Sequence, residues 1–294
     1  MATTIQQSFL KFKQNLEITN LQSSVVSTRQ SNVRKALNNE LDILDSFLIG
    51  SYQRSTMIAP LEKADIDIFL ILDSKYFYNY NDGKNGGQAG LLDLIKRNLK
   101  KTYPKTPDIS RDGQAITIQF SDFLVDVVPS FNRTGGGYLI PNSISNTWIS
   151  TNPKIHTDLV KSSNTIHNGD FIPLIKMIKA WNRNSGEYFN SFHLEALALK
   201  ILEGVTITDY PSGVRYFFDK SRDWMNKQLP DPSGYEGDIG SYINTTEKIQ
   251  EAYNKLQLAY ERALKAESYA SSGQIKNAVD MWIKIFGDYF PIYE

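Results

Sequence analysis

The chain has 294 residues, 41% of them hydrophobic, with 32 basic and 32 acidic side chains, three histidines and no cysteine. A chain of this size and apolar content can bury a core in each of two lobes; its zero net charge gives no global attraction for DNA or RNA, and the lack of cysteine excludes disulfides and thiolate zinc sites. No apolar run reaches transmembrane length and Met1 to Leu16 lacks the charged-then-apolar order of a signal peptide, so a cytoplasmic protein that does not enter membranes is expected.

Ile5, Phe9, Phe12 and Leu16 recur at helical spacing, as do Val33, Leu37, Leu41, Leu44 and Leu48, which predicts a long or broken N-terminal helix leading into a Gly50-Ser51 turn. Asp65 to Leu72 (DIDIFLIL) reads as a buried strand. Tyr78 to Gly90 is rich in Gly and Asn and predicts a mobile loop, with a short helix over Leu91 to Leu99 after it. Gln114 to Phe120 and Phe123 to Pro129 are two β-rich runs separated by Ser121-Asp122, a hairpin signal. Gly135-Gly136-Gly137 lacks the Lys and Ser/Thr of a Walker loop and reads as a flexible connection.

The second half is mainly helical. Asp170 is placed to cap a helix that has Pro173 in its first turn and runs through Trp181. Lys176 and Lys179 lie three apart and share a face, which by itself reads as a solvated basic edge. Ile249, Tyr253, Leu256, Tyr260 and Leu264 mark an amphipathic helix with its aromatics in the core, and Ile275 to Phe286 a last helix closed by Gly287. His193 reads as packed within its helix rather than catalytic. The expected fold is α+β: a small mixed sheet with an N-terminal helix over residues 1–150, a helical lobe over 151–294, and an active site in the cleft between lobes.

Chemistry concentrates in the first half. Side chains alternate along a strand, so Asp65 and Asp67 share one face, and Asp126 lies on a strand able to pair beside them. A Gly-Ser is commonly just a turn, and an Asp-x-Asp commonly a solvated strand face. Asp126 differs, because an acid flanked by Leu124, Val125, Val127 and Val128 is costly to bury without a partner or a metal. Three hard oxygen donors with no thiolate suit Mg2+, with Mn2+ as the alternative, and two such ions can activate an attacking hydroxyl and stabilise a leaving pyrophosphate. Gly50 lets the backbone approach phosphates closely, and the turn's N–H groups with the Ser51 hydroxyl can hold triphosphate oxygens.

GSYQRSTMIAPLEKADIDIFLIL with FLVDVVPSF resembles the polymerase-β-type nucleotidyltransferases, and within them the bacterial cGAS/DncV-like nucleotidyltransferases (CD-NTases), which make cyclic oligonucleotide signals in anti-phage defence. FIPLIKMIKAWN and FNSFHLEAL resemble the family's triphosphate-binding helix and the segment after it, which implies phosphate contacts by Lys179 and Ser191. Phe192 falls where relatives place an aromatic against a base, and LPDPSGYEGDIGSYI resembles the late Asp-Pro loop. The resemblance runs from about Leu48 to the C-terminus.

It implies a magnesium-dependent enzyme that joins nucleoside triphosphates, ATP together with UTP, ATP or GTP, into a cyclic di- or trinucleotide with release of pyrophosphate. It further implies a monomer in CBASS signalling whose product acts on a separate effector protein. The nucleic-acid-sensing zinc thumb of animal relatives has no equivalent in a cysteine-free chain, so no obligatory nucleic-acid activator is expected. Asn164 is a candidate base reader, since a carboxamide offers the donor and acceptor that uracil recognition needs; its other reading is a loop residue in SSNTIHNG. Three alternatives stay open: a nucleotidyltransferase that extends without cyclising, as oligoadenylate synthases and RNA-tailing enzymes do; a transferase that modifies a drug or protein; and a catalytically dead regulatory subunit, against which the three carboxylates argue.

Overall fold

The computed structural model describes residues 4–105 and 108–293. In chain order the elements are α1 (Ile5–Asn15), α2 (Asn20–Asn38), β1 (Ile43–Ile49), α3 (Gly50–Gln53), β2 (Asp65–Leu72), α4 (Ser74–Tyr80), α5 (Gly87–Thr102), β3 (Ile109–Asp112), β4 (Ala115–Gln119), β5 (Leu124–Asn132), β6 (Tyr138–Asn142) and β7 (Thr147–Thr151). Then follow α6 (Pro153–Ile166), α7 (Phe171–Asn184), α8 (Ser191–Ile201), α9 (Tyr210–Ser221), α10 (Thr246–Ser271) and α11 (Ile275–Phe286). This is the expected α+β class. Two compact units form: a sheet unit of Ile18–Ser55 and Pro60–Thr157, and a helical unit that takes in α1, the segment Thr56–Ala59 and the chain from Asp158 onwards. Because the chain enters the helical unit twice before Asp158, no single cut near residue 150 separates the two.

In the sheet unit the strand order is β1-β2-β5-β4-β3, with β6 pairing the far part of β5 and β7 pairing β6. Among the described residues only β2 and β5 run parallel; the other pairings are antiparallel. Ile66, Ile68, Leu70 and Leu72 line one face of β2, and Phe69 and Ile71 the other, all of them buried. Burial on both faces explains the near-continuous apolar run that reads as a strand in the sequence. The face that starts with Asp65 and Asp67 turns apolar further along, where Phe69 and Ile71 join Ala115, Val128, Tyr138 and Ile140 in one cluster.

Two segments of this unit differ from expectation. Residues 43–49 form a strand rather than the end of a helix: α2 stops at Asn38, and Ile43 to Ile49 pair antiparallel with β2 from Leu72 back to Asp67. Leu44, which helical spacing placed in a core, is 59% exposed. A short apolar run satisfies both periods, and the neighbouring strand decides between them. Residues 78–90 are folded rather than a loop. The end of α4, two 3-10 turns over Asn81–Gly86 and the start of α5 occupy them, and Asp82, Gly83, Asn85 and Gly86 supply left-handed backbone angles. Asn85 donates to the Asn79 carbonyl at 2.8 Å, and Trp148 Nε1 to Asn81 Oδ1 at 3.0 Å. Gly90 is needed for closeness rather than flexibility, since a Cβ there would overlap the Asn85 carbonyl oxygen. Gly135 to Gly137 make the turn of the β5–β6 hairpin.

The helical unit packs around α7 and α8, with Phe9 and Phe12 of α1 meeting Phe286 of α11 in an aromatic cluster. No helix among the described residues is long and apolar enough to cross a membrane. Helix α7 runs as expected, but its cap is different. Asp170 occupies the N-cap without a side-chain cap bond, and Asn164 Oδ1 accepts the Ile172 N–H instead, at 3.0 Å. In α10 the buried positions are Ala252, Leu256, Ala259, Ala263 and Ala266, while Tyr253 is 37% and Leu264 41% exposed. Leu256 is thus buried as expected and Ile249 and Tyr260 pack against the core, but small side chains fill most of the buried positions and Tyr253 and Leu264 turn outward. Ala259→Leu should lower unfolding free energy by about 1–3 kcal/mol through overpacking, whereas Leu264→Ala should stay within about 0.5 kcal/mol. Urea unfolding of the two variants checks the register.

Candidate active site

Strand pairing brings the first-half carboxylates together. Asp67 on β2 lies directly across from Asp126 on β5, and Asp126 across from Thr117 on β4. Asp65 stands two residues before Asp67 on the same face. One carboxylate oxygen from each of Asp65, Asp67 and Asp126 lies within 4.8 Å of the others. Asp65 is exposed and the other two are half-buried. All three carboxylates expected from the sequence thus converge.

The electrostatics of Asp126 are unusual. Burial pushes its carboxyl up to about 6 from an ordinary 3.8; the negative charges of Asp65 and Asp112 push the same way, against a hydrogen bond from the Thr117 hydroxyl. Its Oδ1 is buried and has no hydrogen-bond partner among the described residues. A buried, unpaired carboxylate oxygen facing two further carboxylates is costly unless a cation completes it. Three hard oxygen donors with one orphaned atom fit a divalent metal of the Mg2+ or Mn2+ kind.

Gly50 is built into the same corner. Ile49, the last residue of β1, pairs with Asp67; Gly50 follows with φ +68°, and a Cβ on it would overlap Asp67 Oδ2. Both the backbone angle and the closeness therefore require glycine. Ser51 follows it in the short helix α3.

The remaining expected residues lie on the helical unit. Ser191 is the first residue of α8 and exposed; Phe192, next to it, is half-buried. Lys179 does not form a solvated edge. It is 5% exposed, and its Nζ donates to Glu195 Oε1 at 2.8 Å and to the Thr56 carbonyl at 3.1 Å. Thr56 Oγ1 also donates to Glu195 Oε1, at 2.8 Å. Lys176 is likewise buried, paired with Glu17 at 2.6 Å. Asn164 Oδ1 accepts the Ile172 N–H at the start of α7 at 3.0 Å, which uses one of that oxygen's two lone pairs. His193 is buried and packed, as expected.

Sequence reasoning missed Thr117, Glu195 and Thr56. Glu195 carried a usable signal: it is an acid set among Leu194, Ala196, Leu197 and Ala198, the same cost of burial that singles out Asp126. Thr117 and Thr56 carried none.

Residues 3–164 match the family described as the Second Messenger Oligonucleotide or Dinucleotide Synthetase domain. The chain belongs to this family. It is 28% identical over 276 positions to a probable cyclic nucleotide synthase of Bacillus cereus (strain VD146), covering 83% of this chain and 82% of that one. It is 26% identical over 309 aligned positions to the cyclic AMP-AMP-AMP synthase of an Acinetobacter species, covering 98% and 86%. Among solved structures, that of E. coli MS115-1 CdnC with ATP shares the fold with a TM-score of 0.77 at 19% identity, covering 97% and 98%. The synthetase is a nucleotidyltransferase of the cGAS/DncV-like type, a cyclic oligonucleotide synthase by class.

Two outcomes follow for the acidic corner of the synthetase. Gly50→Ala should displace Asp67 and reduce nucleotidyl transfer about 100-fold, the scale of a 1 Å misplacement, while circular dichroism shows the fold retained. Asp126 has a folded-state pKa above its unfolded value, so the folded state binds the extra proton and stability is lost as pH rises from about 4 to about 6. In metal-free protein Asp126→Asn should flatten that slope and recover about 1–3 kcal/mol at neutral pH. Urea unfolding in chelator at several pH values measures it, and an unchanged slope would remove Asp126 as its source.

Proposed function

We propose that the protein joins nucleoside triphosphates into a cyclic di- or trinucleotide second messenger in bacterial anti-phage (CBASS) signalling. In each step the 3′- or 2′-hydroxyl of one nucleotide attacks the α-phosphorus of another. A new P–O bond forms as the bond to the β-phosphate breaks, so pyrophosphate leaves and the hydroxyl proton passes to water. The observation that carries this reading is the convergence of Asp65, Asp67 and Asp126, with the orphaned Asp126 Oδ1.

When bound, Mg2+ ions at the three carboxylates would lower the pKa of the attacking hydroxyl and neutralise charge on the leaving pyrophosphate. Asp65 and Asp67 orient their carboxylates from consecutive same-face positions of one strand, and the Thr117 hydroxyl holds Asp126 from the next. Gly50 and Ser51 offer backbone N–H groups and a hydroxyl to triphosphate oxygens. On the helical unit, Ser191 meets phosphate and Phe192 stacks on a base. Lys179 is the phosphate contact on α7, and in the arrangement seen it also ties α7 to α8 through Glu195, one turn from Ser191.

ATP as one substrate is supported by the ATP of the E. coli CdnC structure and by the product named for the Acinetobacter synthase. A balanced net charge supports synthesis without a nucleic-acid activator, and the family resemblance implies a cytoplasmic monomer whose product acts on a separate effector.

The test is to incubate purified protein with Mg2+ and each combination of labelled nucleoside triphosphates, treat with phosphatase, and weigh what resists. A resistant cyclic product is expected. A phosphatase-sensitive linear product would remove cyclisation and favour the extending enzymes. Asp65→Ala combined with Asp67→Ala should abolish synthesis with melting temperature unchanged or slightly raised, since like charges have been removed; near-native turnover would sink the assignment.

A further inference from the structure

Helix α8 starts at Ser191, yet its N-cap residue, Asn190, makes no side-chain cap hydrogen bond. The Asn190 N–H donates instead to the Tyr242 hydroxyl oxygen at 3.0 Å. The same hydroxyl meets His193 Nδ1 at 2.9 Å, to which it donates when the ring proton is on Nε2. Neither group changes charge near neutrality: burial pushes His193 down to about 4 and Tyr242 up to about 12. One hydroxyl thus grips residues 190 and 193, on either side of Ser191 and Phe192.

The two ends of this grip are themselves fixed. Upstream, buried Asn182 of α7 clamps Phe189 both ways, donating to its carbonyl at 2.7 Å and accepting its N–H at 3.0 Å. On the other side, Tyr242 belongs to the segment 229–243, which two aspartates organise. The Asp231 carboxylate accepts the N–H groups of Ser233, Tyr235 and Glu236, and Asp238 Oδ1 accepts those of Leu229 and Gly240, both at 2.9 Å. Lys248 Nζ holds the Tyr242 carbonyl at 2.9 Å. The Tyr242 and His193 rings also meet edge to face, with centroids 5.6 Å apart.

We propose that Tyr242 is a positioning residue for nucleotide binding: its hydroxyl sets the backbone at the start of α8, and with it the direction of Ser191 and Phe192. This rests on the reading that those two side chains meet the nucleotide. Tyr242 touches no substrate in this account. It acts by limiting how far the first turn of α8 can rotate or fray, a turn whose leading N–H groups have no partner within the helix.

The experiment is steady-state synthesis by the purified full chain with ATP as the varied substrate, for Tyr242→Phe, Phe192→Ala and the double variant, each with its melting temperature. Tyr242→Phe keeps the ring and removes both hydrogen bonds. It should raise KM for ATP about three- to tenfold, with kcat within about twofold and a small fall in melting temperature. In the Phe192→Ala background the same change should alter KM less than about twofold, because the side chain being aimed is gone.

His193 supplies a second pair. His193→Gln retains an acceptor for the Tyr242 proton and should keep KM near that of the unaltered protein, whereas His193→Leu should shift it as Tyr242→Phe does. If Phe192→Ala leaves KM unchanged, the nucleotide-contact reading fails. If Phe192→Ala raises KM but Tyr242→Phe does not, or Tyr242→Phe raises it equally in both backgrounds, the positioning role is overturned. Equal KM values for the Gln and Leu variants would overturn it even if Tyr242→Phe did not fold.

Discussion

The parallel pairing of β2 with β5 sets Asp67 directly across from Asp126, and the properties of the acidic corner follow from that register. A slip of one residue would turn Asp126 to the opposite face and put Val125 or Val127 in its place. The neighbouring strands hold the register from both sides. β1 delivers Gly50 against Asp67, and β4 delivers Thr117 against Asp126. Buried Phe69 and Val128, which pair two residues beyond the carboxylates, anchor the same face. The sheet can hold like charges so close because their repulsion is small against the apolar burial on both faces of β2 and β5, and a cation would remove most of it.

In the helical unit, polar side chains work mainly on the backbone. Asn164 caps α7, Asn182 clamps Phe189, Asp231 and Asp238 fold the segment 229–243, and Tyr242 holds the entry to α8. Lys179, Glu195 and Thr56 form a buried network in which each member has a partner. A buried ion pair of this kind adds little net stability compared with apolar packing, but removing one partner leaves an uncompensated charge. Its value is geometric. It fixes how α7, α8 and the Thr56–Ala59 segment meet, and the exposed start of α8 inherits that precision.

Much of the sheet unit was legible in the sequence because its information is local. Alternation puts Asp65 and Asp67 on one face whatever surrounds them, Gly50 breaks the chain where β1 ends, and an acid among valines at Asp126 announces a partner. The helices 5–15, 171–184 and 275–286 were readable from apolar spacing for the same reason. Residues 43–49 were not, since Leu41, Leu44 and Leu48 satisfy a helical period while strand pairing with β2 rewards the alternative. Residues 78–90 misled through composition: the same Asn and Gly residues that loosen a loop also permit the left-handed angles of tight, hydrogen-bonded turns.

By itself the sequence determined the α+β class, the carboxylate set and the family resemblance, all of which depend on residue type and short-range spacing. Tertiary structure alone decided which surfaces of α10 are buried, that Lys179 faces Glu195 instead of water, that Asn164 caps a helix, and that Tyr242 reaches Asn190 and His193 across about fifty residues of chain. The physical reason is that periodicity reports only the geometry of one element. The partner of a polar atom depends on which distant segment folding brings to it, and a lysine, an asparagine or a tyrosine has the same donors and acceptors wherever it lies.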